Sequence, residues 1–434
     1  MLTLDSPTTA RAVDPSTASR YSSVELFSGA GGLALGIEQA GFRHRALVEL
    51  DDHACDTLER NARAGTVVSP PWPVHRGDVR EFDFSPYAGT TTLLAGGAPC
   101  QPFSLGGLQR GDTDRRNLFP DVFRAVRALR PEAILFENVR NLAGKSFRPY
   151  FEYIVRQLRF PFDAARDGEH WLEHDRRLRE FEVGGEIGRY SPGERYDVEY
   201  AVVNAADFGV PQVRHRVFIV GFRRDLRLSP VIPRGEFSDD ALLWTQWVDG
   251  TYWDDHGIAP RERPIVPDAL AKRVAGLRKH GKPMGRRWRT LRDALGTPTP
   301  LGEPEPRNGT TSGLHYLIPG ARVYPGHTGN VPDRPAKAIK AGDHGNPGGE
   351  HVLVRGPNDC RYLSIRECAR VQTFPDEYHF EGSRSECMRQ LGNAVPVELG
   401  RQMALSVRRA LVRWSAGRER GAHGGRPTEM HAAG

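Results

Sequence analysis

The sequence predicts an α/β fold in which a mostly parallel, doubly wound sheet is accompanied by a smaller, loop-rich second domain. From residue 24 onward, short apolar runs alternate with helical stretches, a pattern typical of parallel strands covered by helices on both faces. After residue 223 this alternation stops, and the chain becomes dense in Pro, Gly and charged residues. The length of 434 residues and a hydrophobic content of 38% suffice for two such domains.

Six apolar runs are the predicted strands of the sheet: residues 24–27, 46–50, 92–95, 133–137, 200–204 and 217–222. Two later segments, 363–372 and 397–414, have a helical pattern of apolar residues. We therefore place the main domain at residues 22–223 plus 386–415, and the second domain at residues 224–385. Residues 1–21 and 416–434 lack an apolar period and are predicted to be disordered tails.

Positive charge is concentrated in the second domain. The chain carries a formal net charge of +6, yet residues 261–292 contain eleven Lys or Arg against two acidic residues, Glu262 and Asp268. The eleven are Arg261, Arg263, Lys272, Arg273, Arg278, Lys279, Lys282, Arg286, Arg287, Arg289 and Arg292. Such a run is either a solvated helical face or a surface that contacts nucleic-acid phosphates. Both interpretations stay open on the sequence alone.

The five cysteines give no sign of a disulfide framework or a zinc cluster, because their number is odd, they lie far apart and no Cys-x-x-Cys pair occurs. Segment 170–174 fits the zinc-peptidase pattern H-x-x-E-H, but on a charged helix such side chains are more often solvated, so no metal is expected. No apolar run approaches the roughly 20 residues that span a bilayer, and no secretory signal is recognisable. We therefore expect a cytoplasmic protein with no membrane partner.

A glycine-rich turn after the first predicted strand is a candidate nucleotide site. Its residues are Phe27, Ser28, Gly29, Ala30, Gly31 and Gly32. Such a turn lets the backbone approach a ligand and presents helix-terminal amides to it. Glu49, followed by Leu50, ends the next strand, where a carboxylate can bond a ribose hydroxyl; Asp78, followed by Val79, can accept from an adenine amino group. An adenosine-containing cofactor is therefore favoured over a turn needed only for helix packing, and a dinucleotide and S-adenosylmethionine are both compatible.

Two further segments place reactive groups just beyond predicted strands. Cys100 lies in a proline-flanked loop, where ligands of open parallel sheets bind, so its thiol is expected to be available rather than buried in the core. Glu137 ends another strand, where apolar neighbours can hold a carboxyl protonated near neutral pH. Arg214 and Arg216 stand at period two on one strand, so both are expected to reach the same ligand.

Taken together, these segments resemble the DNA cytosine-5 methyltransferases of the bacterial restriction-modification type, from residue 24 to about residue 407. Six motifs in the family's order carry the resemblance: Phe27-Ser-Gly-Ala-Gly-Gly32, Pro99-Cys-Gln-Pro-Phe-Ser104, Glu137-Asn-Val139, Gln212-x-Arg-x-Arg216, Arg366-Glu-Cys-Ala-Arg-x-Gln-x-Phe-Pro375 and Gly392-Asn-Ala-Val-Pro396. The resemblance implies a Rossmann-like, S-adenosylmethionine-dependent methyltransferase fold. In that family the main domain is catalytic and the second domain recognises the target sequence.

The resemblance also implies residue roles. Cys100 is the nucleophile, Glu137 and Arg216 hold the target cytosine, and Arg214 supports the site. The residues implied to surround S-adenosyl-L-methionine are Phe27, Ser28, Gly29, Ala30, Gly31, Gly32, Glu49, Leu50, Asp78, Val79, Pro99, Leu118, Asn393 and Ala394. Segment 363–375 is similar to the part that braces the recognition domain. Two features depart from the family pattern: Ala98 replaces a proline that most members have, and segment 144–195 is longer than the common core needs.

The implied reaction accounts for these residue types. Carbon 5 of cytosine becomes nucleophilic only after a thiolate, here Cys100, adds to carbon 6. Glu137 can hydrogen-bond or protonate ring nitrogen 3 while Arg216 meets the carbonyl oxygen. Because stacking hides the base, the duplex must release it into the pocket, at a cost of about a few kcal/mol.

Double-stranded DNA is the expected partner. Loop 101–117 is predicted to close over the released base, and Gln101, Ser104 and Arg115 are the candidate DNA contacts. A cognate restriction endonuclease that acts separately is the other partner that the resemblance implies. The protein is expected to work as a monomer near the bacterial nucleoid.

Three rival functions remain open. A tRNA cytosine-5 methyltransferase would use the same catalytic residues, although the large basic domain favours DNA. A catalytically inactive DNA-binding relative is disfavoured because Cys100, Glu137 and Arg216 are all present. A nicotinamide-dependent oxidoreductase would explain the first glycine turn but leaves the Pro-Cys loop without a role.

Overall fold

A seven-stranded sheet forms the centre of the fold. The computed structural model describes residues 21–68, 70–99, 117–184, 190–296, 298–306, 313–325, 328–341, 349–356 and 358–423. The sheet strands are β1 (Ser22–Leu26), β2 (Arg43–Glu49), β3 (Val74–Arg76), β4 (Leu93–Gly96), β5 (Ala133–Val139), β6 (Tyr196–Asn204) and β8 (His215–Arg223), while the short β7 (Gln212–Val213) pairs with β11 (Ala336–Lys337). Their order is β3-β2-β1-β4-β5-β8-β6, and only β8 runs antiparallel to its neighbours. The predicted mostly parallel sheet is confirmed.

Helices cover both faces of this sheet. The helices of the main domain are α1 (Gly32–Gln39), α2 (Asp52–Ala64), α3 (Phe119–Leu129), α4 (Arg148–Arg159), α5 (Trp171–Gly184), α10 (Ile365–Val371), α11 (Arg384–Asn393) and α12 (Val397–His423). Apolar residues of α1 and α12 are buried against one face of β4 and β5, and those of α3, α4 and α5 against the other. The doubly wound arrangement therefore follows from strands that are apolar on both sides.

The second domain consists of short elements, and a small aromatic core lies among the first of them. These are β9 (Phe237–Ser238), α6 (Asp239–Trp247), α7 (Thr251–Asp255), α8 (Asp268–His280) and β10 (Arg286–Arg287). The later elements α9 (Leu291–Gly296), β12 (Val352–Gly356) and β13 (Asp359–Tyr362) contribute residues to another cluster, which also contains residues of α1 and α2. Tyr252 and Trp253 are fully buried at the centre of the aromatic core, and Trp247 and Trp288 pack against them. These tryptophans are therefore structural residues of the domain.

Helices α1 and α12 approach each other most closely at Gly36. A Cβ atom on Gly36 would lie 2.6 Å from the backbone nitrogen of Arg401 and 2.7 Å from the carbonyl oxygen of Val397. Because backbone atoms of a packed helix cannot move aside cheaply, Gly36→Ala should reduce the free energy of unfolding by about 1–3 kcal/mol.

Gly276 in α8 is the matched control, because a Cβ atom there would meet nothing within 4 Å. Alanine is the better helix former, so Gly276→Ala should leave stability unchanged or raise it by about 0.5–1 kcal/mol. Thermal unfolding followed by circular dichroism compares the two variants. A Gly36→Ala variant as stable as the wild type would contradict the close contact between the helices.

Segment 363–385, which the sequence assigns to the second domain, packs against helices of the main domain. Leu363, Ile365 and Phe374 are buried in one cluster with residues of α1 and α2. The hydroxyl of Tyr378 donates a hydrogen bond of 2.7 Å to the carbonyl oxygen of Ala30 in the glycine turn. Segment 363–385 therefore packs as part of the main domain, because its apolar residues complete the core beside α1.

The ordered body is longer at both ends than predicted. Helix α12 continues past residue 415 to His423, and the guanidinium of Arg418 stacks over the ring of Trp414, one turn earlier, at 5.0 Å. Tyr21 is buried with its ring 6.1 Å from that of Phe42. The other predicted tail residues, 1–20 and 424–434, lie outside the described residues. No helix of the described part is both long and apolar enough to cross a membrane.

The insert at residues 144–195 contains α4 and α5 around a buried polar cluster. His174 is fully buried, with its Nδ1 atom 3.0 Å from the hydroxyl of Tyr153 and its Nε2 atom 3.6 Å from the carboxylate of Asp163. Arg177 forms a second ion pair with Asp163. The side chain of His170 is exposed. The expectation that the H-x-x-E-H side chains are solvated therefore holds for His170 and is wrong for His174, which connects the two helices.

Candidate active site

The carboxyl ends of β1, β2, β4 and β5 open onto one cavity of about 690 Å³. The C-terminal half of α11 and the two residues after it form the opposite wall, with Arg389, Gln390, Gly392, Asn393, Ala394 and Val395 lining the cavity. All the predicted cofactor residues except Gly31 line it: Phe27, Ser28, Gly29, Ala30, Gly32, Glu49, Leu50, Asp78, Val79, Pro99, Leu118, Asn393 and Ala394. The site thus lies where ligands bind in open parallel sheets.

The glycine turn at the start of α1 is tightly curved. Gly29 and Gly31 have φ angles of 51° and 80°, in the left-handed region that favours glycine, and Phe27 adopts a φ of 58° without being glycine. Gly31 faces away from the cavity, because a Cβ atom there would lie 2.7 Å from the side chains of Leu58 and Tyr378. Gly31 is thus the one predicted cofactor residue that does not line the cavity, and both its φ angle and the close packing behind it favour glycine at this position.

Glu49 is held in place by three backbone amides. Its Oε2 atom accepts a hydrogen bond from Gly29 at 2.7 Å, and its Oε1 atom accepts from Leu50 at 2.9 Å and Asp51 at 2.8 Å. Burial raises the pKa of the Glu49 carboxyl above its usual value, and the amide hydrogen bonds oppose that rise. The carboxylate lines the cavity in one fixed orientation and keeps a free lone pair on Oε2 for a ligand hydroxyl.

Asp78 lies on the same cavity wall as a charged acceptor. Its Oδ1 atom accepts a hydrogen bond of 2.9 Å from the backbone nitrogen of Arg80, whose guanidinium also pairs with the carboxylate. This pairing lowers the pKa of the Asp78 carboxyl. Leu50 supplies an apolar rim nearby, with 62% of its surface exposed. The wall therefore combines an acceptor with an apolar surface, as recognition of a purine ring requires.

Glu137 and Arg216 form an ion pair inside the cavity. The Nε atom of Arg216 lies 2.8 Å from the Oε1 atom of Glu137. Burial raises the pKa of the Glu137 carboxyl above its ordinary value, against the lowering effect of Arg216 and then Arg214. A Cβ atom on Gly97 would lie 3.2 Å from the other carboxylate oxygen, so this glycine leaves room for it. The carboxyl can thus carry a proton beside a fixed positive charge.

The segment that carries Cys100 begins and ends at this cavity. Asn138, next to Glu137, donates a hydrogen bond of 2.9 Å from its amide to the carbonyl oxygen of Ala98. Pro99 before the segment and Leu118 after it both line the cavity. The predicted residues Cys100, Gln101, Ser104 and Arg115 themselves lie outside the described residues.

Arg214 and Arg216 do not reach one ligand, and this part of the period-two prediction is wrong. The guanidinium of Arg214 is buried and donates to the carbonyl oxygens of Ile339 at 2.7 Å, Gly392 at 2.5 Å and Ala394 at 3.1 Å. The strand is interrupted at Arg214, between β7 and β8, so the alternation does not apply there. Arg214 positions the wall formed by Gly392 and Ala394, in agreement with the supporting role that the resemblance gives it.

Several charged residues of the cavity were not predicted from motifs, among them Arg389, Asp51 and Glu25. A guanidinium nitrogen of Arg389 in α11 lies 2.8 Å from a carboxylate oxygen of Asp51, so this ion pair joins the two walls. Glu25 is 1% exposed, and its Oε2 atom has no hydrogen-bond partner among the described residues. Burial, and then the nearby charge of Glu49, raise the pKa of Glu25 well above its usual value. An acidic residue inside the apolar run of β1 was the sequence signal for Glu25, whereas Arg389 has none.

Comparison with known proteins agrees with this geometry. Residues 21–160, 191–282 and 285–409 match the sequence model described as C-5 cytosine-specific DNA methylase. The chain is 31% identical over 407 residues to the Type II methyltransferase M.PspPI of a Psychrobacter species, covering 93% of this chain and 81% of that protein. It is 30% identical over 396 residues to M.Eco47II of Escherichia coli, covering 89% and 78% respectively. The unmatched residues 161–190 lie within the insert.

Solved structures resemble the chain in fold. DNMT2 of Spodoptera frugiperda superposes with a TM-score of 0.53 at 15% identity, over 89% of this chain and 99% of that one. The Entamoeba histolytica methyltransferase EhMeth gives a TM-score of 0.52 at 12% identity, over 90% and 99%. At such low identity the likeness concerns the architecture alone.

Proposed function

Because the chain belongs to the family of C-5 cytosine-specific DNA methylases, we propose that it methylates carbon 5 of a cytosine within one specific sequence of double-stranded DNA. The observation that carries this proposal is the Glu137–Arg216 ion pair inside a cavity whose wall continues into the Cys100 segment. A carboxyl and a guanidinium side by side match the ring nitrogen and carbonyl oxygen on one edge of cytosine.

S-adenosyl-L-methionine is the proposed methyl donor, and the residues of the cavity fit it. The Glu49 carboxylate suits ribose hydroxyls, Asp78 suits an adenine amino group, and Phe27 and Leu50 offer apolar surface to the purine. The Oε2 atom of Glu25, which has no partner within the described chain, is available to a polar group of the cofactor. When bound, the cofactor supplies a methyl group activated by its sulfonium charge.

Glu49→Gln is expected to weaken binding of the demethylated cofactor, S-adenosylhomocysteine, by roughly tenfold. Glutamine has one acceptor oxygen, so its amino group would face at least one of the three backbone N–H donors that now bind Glu49. Isothermal titration calorimetry measures the change. Glu59→Gln in α2 makes the same chemical change outside the cavity and should bind normally. Equal affinity in both variants would contradict the assignment of Glu49.

In the proposed reaction, the residues of the chain act on the cytosine ring. The Cys100 thiolate adds to carbon 6 and shifts electron density toward carbon 5 and ring nitrogen 3. Glu137 gives its proton to nitrogen 3, and Arg216 donates hydrogen bonds to the carbonyl oxygen, so charge does not accumulate on the ring. After methyl transfer, the carbon 5 proton is lost to solvent, the thiolate leaves carbon 6, and nitrogen 3 returns its proton to Glu137, which restores the aromatic ring and the starting form of the site.

The biological role proposed is the modification half of a restriction-modification system in the bacterial cytoplasm. Both relatives are named Type II methyltransferases, which supports this role. A cognate endonuclease would cut the same sequence when it is unmethylated. The protein is proposed to act on DNA as a monomer.

Mass spectrometry for 5-methylcytosine tests the substrate class. Unmethylated duplex DNA and unmodified tRNA are each incubated with the protein and S-adenosylmethionine. Methylated DNA and unchanged tRNA are expected, and sequencing the DNA product then identifies the recognised sequence. Methylation of tRNA alone would replace the proposal with the rival RNA activity, and no methylation of either would refute both.

A further inference from the structure

Part of the basic stretch of the second domain is neutralised by acidic residues of the same domain. Arg273 pairs with Asp239 and Asp240, and Arg292 pairs with Asp333. Ion pairs of this kind allow one small domain to hold many cations. Other cations of the stretch form no ion pair within the described residues.

Arg286 and Arg289 form no ion pair within the part of the chain that the structure describes. Arg286 is exposed and stacks over the ring of Phe237 at 4.6 Å, which leaves its N–H groups available. Arg289 is partly buried. Burial lowers its pKa, the charges of Asp293 and Glu398 oppose this effect, and the charges of Arg287 and Arg286 add to it. Both guanidinium groups can therefore still take a phosphate as a charged hydrogen-bond partner.

The loop that precedes these arginines projects an apolar tip. Met284 is 95% exposed and stands between Gly281 and Gly285, whose φ angles are 91° and 89°. Lys282 beside it is also exposed. The family match is interrupted at residues 283–284, so this tip belongs to neither flanking matched segment. A large apolar side chain that is held out among cations suits a partner with an anionic backbone and apolar groups between its charges.

This loop is fixed to the edge of the sheet that carries the active site. Trp288 donates a hydrogen bond of 2.9 Å from its indole to a carboxylate oxygen of Asp207. Asp207 lies in the short 3-10 turn Ala205–Phe208, directly after β6. The last residue of β6, Asn204, pairs with His215, the residue before Arg216. The loop is therefore connected to the Glu137–Arg216 ion pair through β6 and β8, at the same edge of the sheet.

From this placement we propose that residues 282–289, here called the basic edge, contact the target duplex: Arg286 and Arg289 bind a backbone phosphate, and Met284 contacts a base edge in the major groove. The inference rests on the proposed function and assigns part of the sequence recognition to named residues. Duplex DNA fits because it presents phosphates and, between them, apolar groups such as the thymine methyl.

The salt dependence of DNA binding tests the phosphate contacts. Binding of the protein is measured over a range of NaCl concentrations. The duplex contains the sequence that the protein recognises, as identified by sequencing the methylated product. Each phosphate contact adds about 0.9 to the slope of log K against log salt, so Arg286→Gln and Arg289→Gln should each reduce the slope by about one. Arg289→Lys keeps the positive charge and should therefore retain most of the wild-type slope.

Arg261→Gln is the matched control, because Arg261 is 86% exposed in the same domain but outside the basic edge. Its slope should equal that of the wild type. Met284→Ala should keep the wild-type slope and lose roughly fivefold or more in discrimination against duplexes with single base changes. Arg286 is exposed, so its variant should fold even if the Arg289 variant does not.

The outcomes separate this inference from the function on which it rests. If the wild type fails to bind and methylate duplex DNA, the proposed function falls and the inference falls with it. If the wild type binds, but both glutamine variants of the basic edge keep its slope or Met284→Ala keeps its discrimination, the inference alone is overturned.

Discussion

Cys100→Ser is expected to lower the methylation rate at least about 10³-fold, because a serine hydroxyl is far less ionised at neutral pH than a thiol and adds poorly to carbon 6. The other cysteines provide the contrast. Burial raises the pKa of Cys387 to about 11 and that of Cys55 to about 12, so both thiols stay protonated. Cys360→Ser, at a partly exposed position of β13, should retain wild-type activity.

A covalent trap makes the Cys100 test specific. Duplex DNA with fluorine at carbon 5 of the target cytosine cannot lose a proton from that carbon, so the wild type should remain attached to it. The complex is measured by its mass after denaturation. A Cys100→Ser variant that still forms this complex would show that another residue is the nucleophile, whatever happens to the rate.

Glu137→Gln should reduce the methylation rate at least about 100-fold, the usual contribution of a positioned proton donor. Glutamine keeps the shape of the side chain but cannot give a proton to ring nitrogen 3. Burial raises the pKa of Glu137, so the carboxyl keeps its proton to a higher pH than an exposed one. The wild-type rate should therefore fall as the pH rises through that raised pKa, and the Gln variant should lack this decline.

Rates measured across the pH range under single-turnover conditions separate this chemical step from binding and product release. Glu199→Gln, at an exposed position of β6, is the control and should follow the wild-type profile. If Glu137→Gln retains both the rate and the decline at high pH, then Glu137 is not the proton donor.

Buried strands were the part of the fold that the sequence predicted well. The sequence segments that form β4, β5 and β8 are apolar on both faces, and such segments have few alternatives to a central strand. Edge strand β3 was not predicted, because Val74, His75 and Arg76 are partly exposed and only one of them is apolar. Its position is set by pairing with β2 rather than by its own composition.

The sequence predicted those parts of the cavity that lie in local motifs, but not those formed by residues far apart in the chain. The glycine turn and the strand-end residues Glu49 and Glu137 could be placed because strand ends of a parallel sheet converge. The ion pair between Asp51 and Arg389 could not, since it joins residues 338 positions apart and neither lies in a distinctive pattern. Arg214 illustrates a different limit, because a break in the strand cancels a periodicity that the sequence alone displays.

His174 shows why the insert resisted interpretation. A histidine among charged residues resembles a solvated helical face, and nothing local distinguishes it from His170 one turn earlier. Burial is decided by α4, which supplies Tyr153 and covers the ring. Polar residues whose partners lie on a neighbouring helix therefore remain ambiguous until the packing of the two helices is known.

The two walls of the cofactor cavity come from segments far apart in the chain, so one wall is synthesised well before the other. Asp51 leaves the ribosome 338 residues before its partner Arg389. At about 5–20 residues per second, that delay is roughly 20 to 70 seconds. Throughout that interval α1 has no α12 to cover its apolar side, and the glycine turn has no opposite wall. A nascent chain can therefore acquire the complete cavity only after the residues of the opposite wall and α12 have been synthesised, so methylating activity should appear only then.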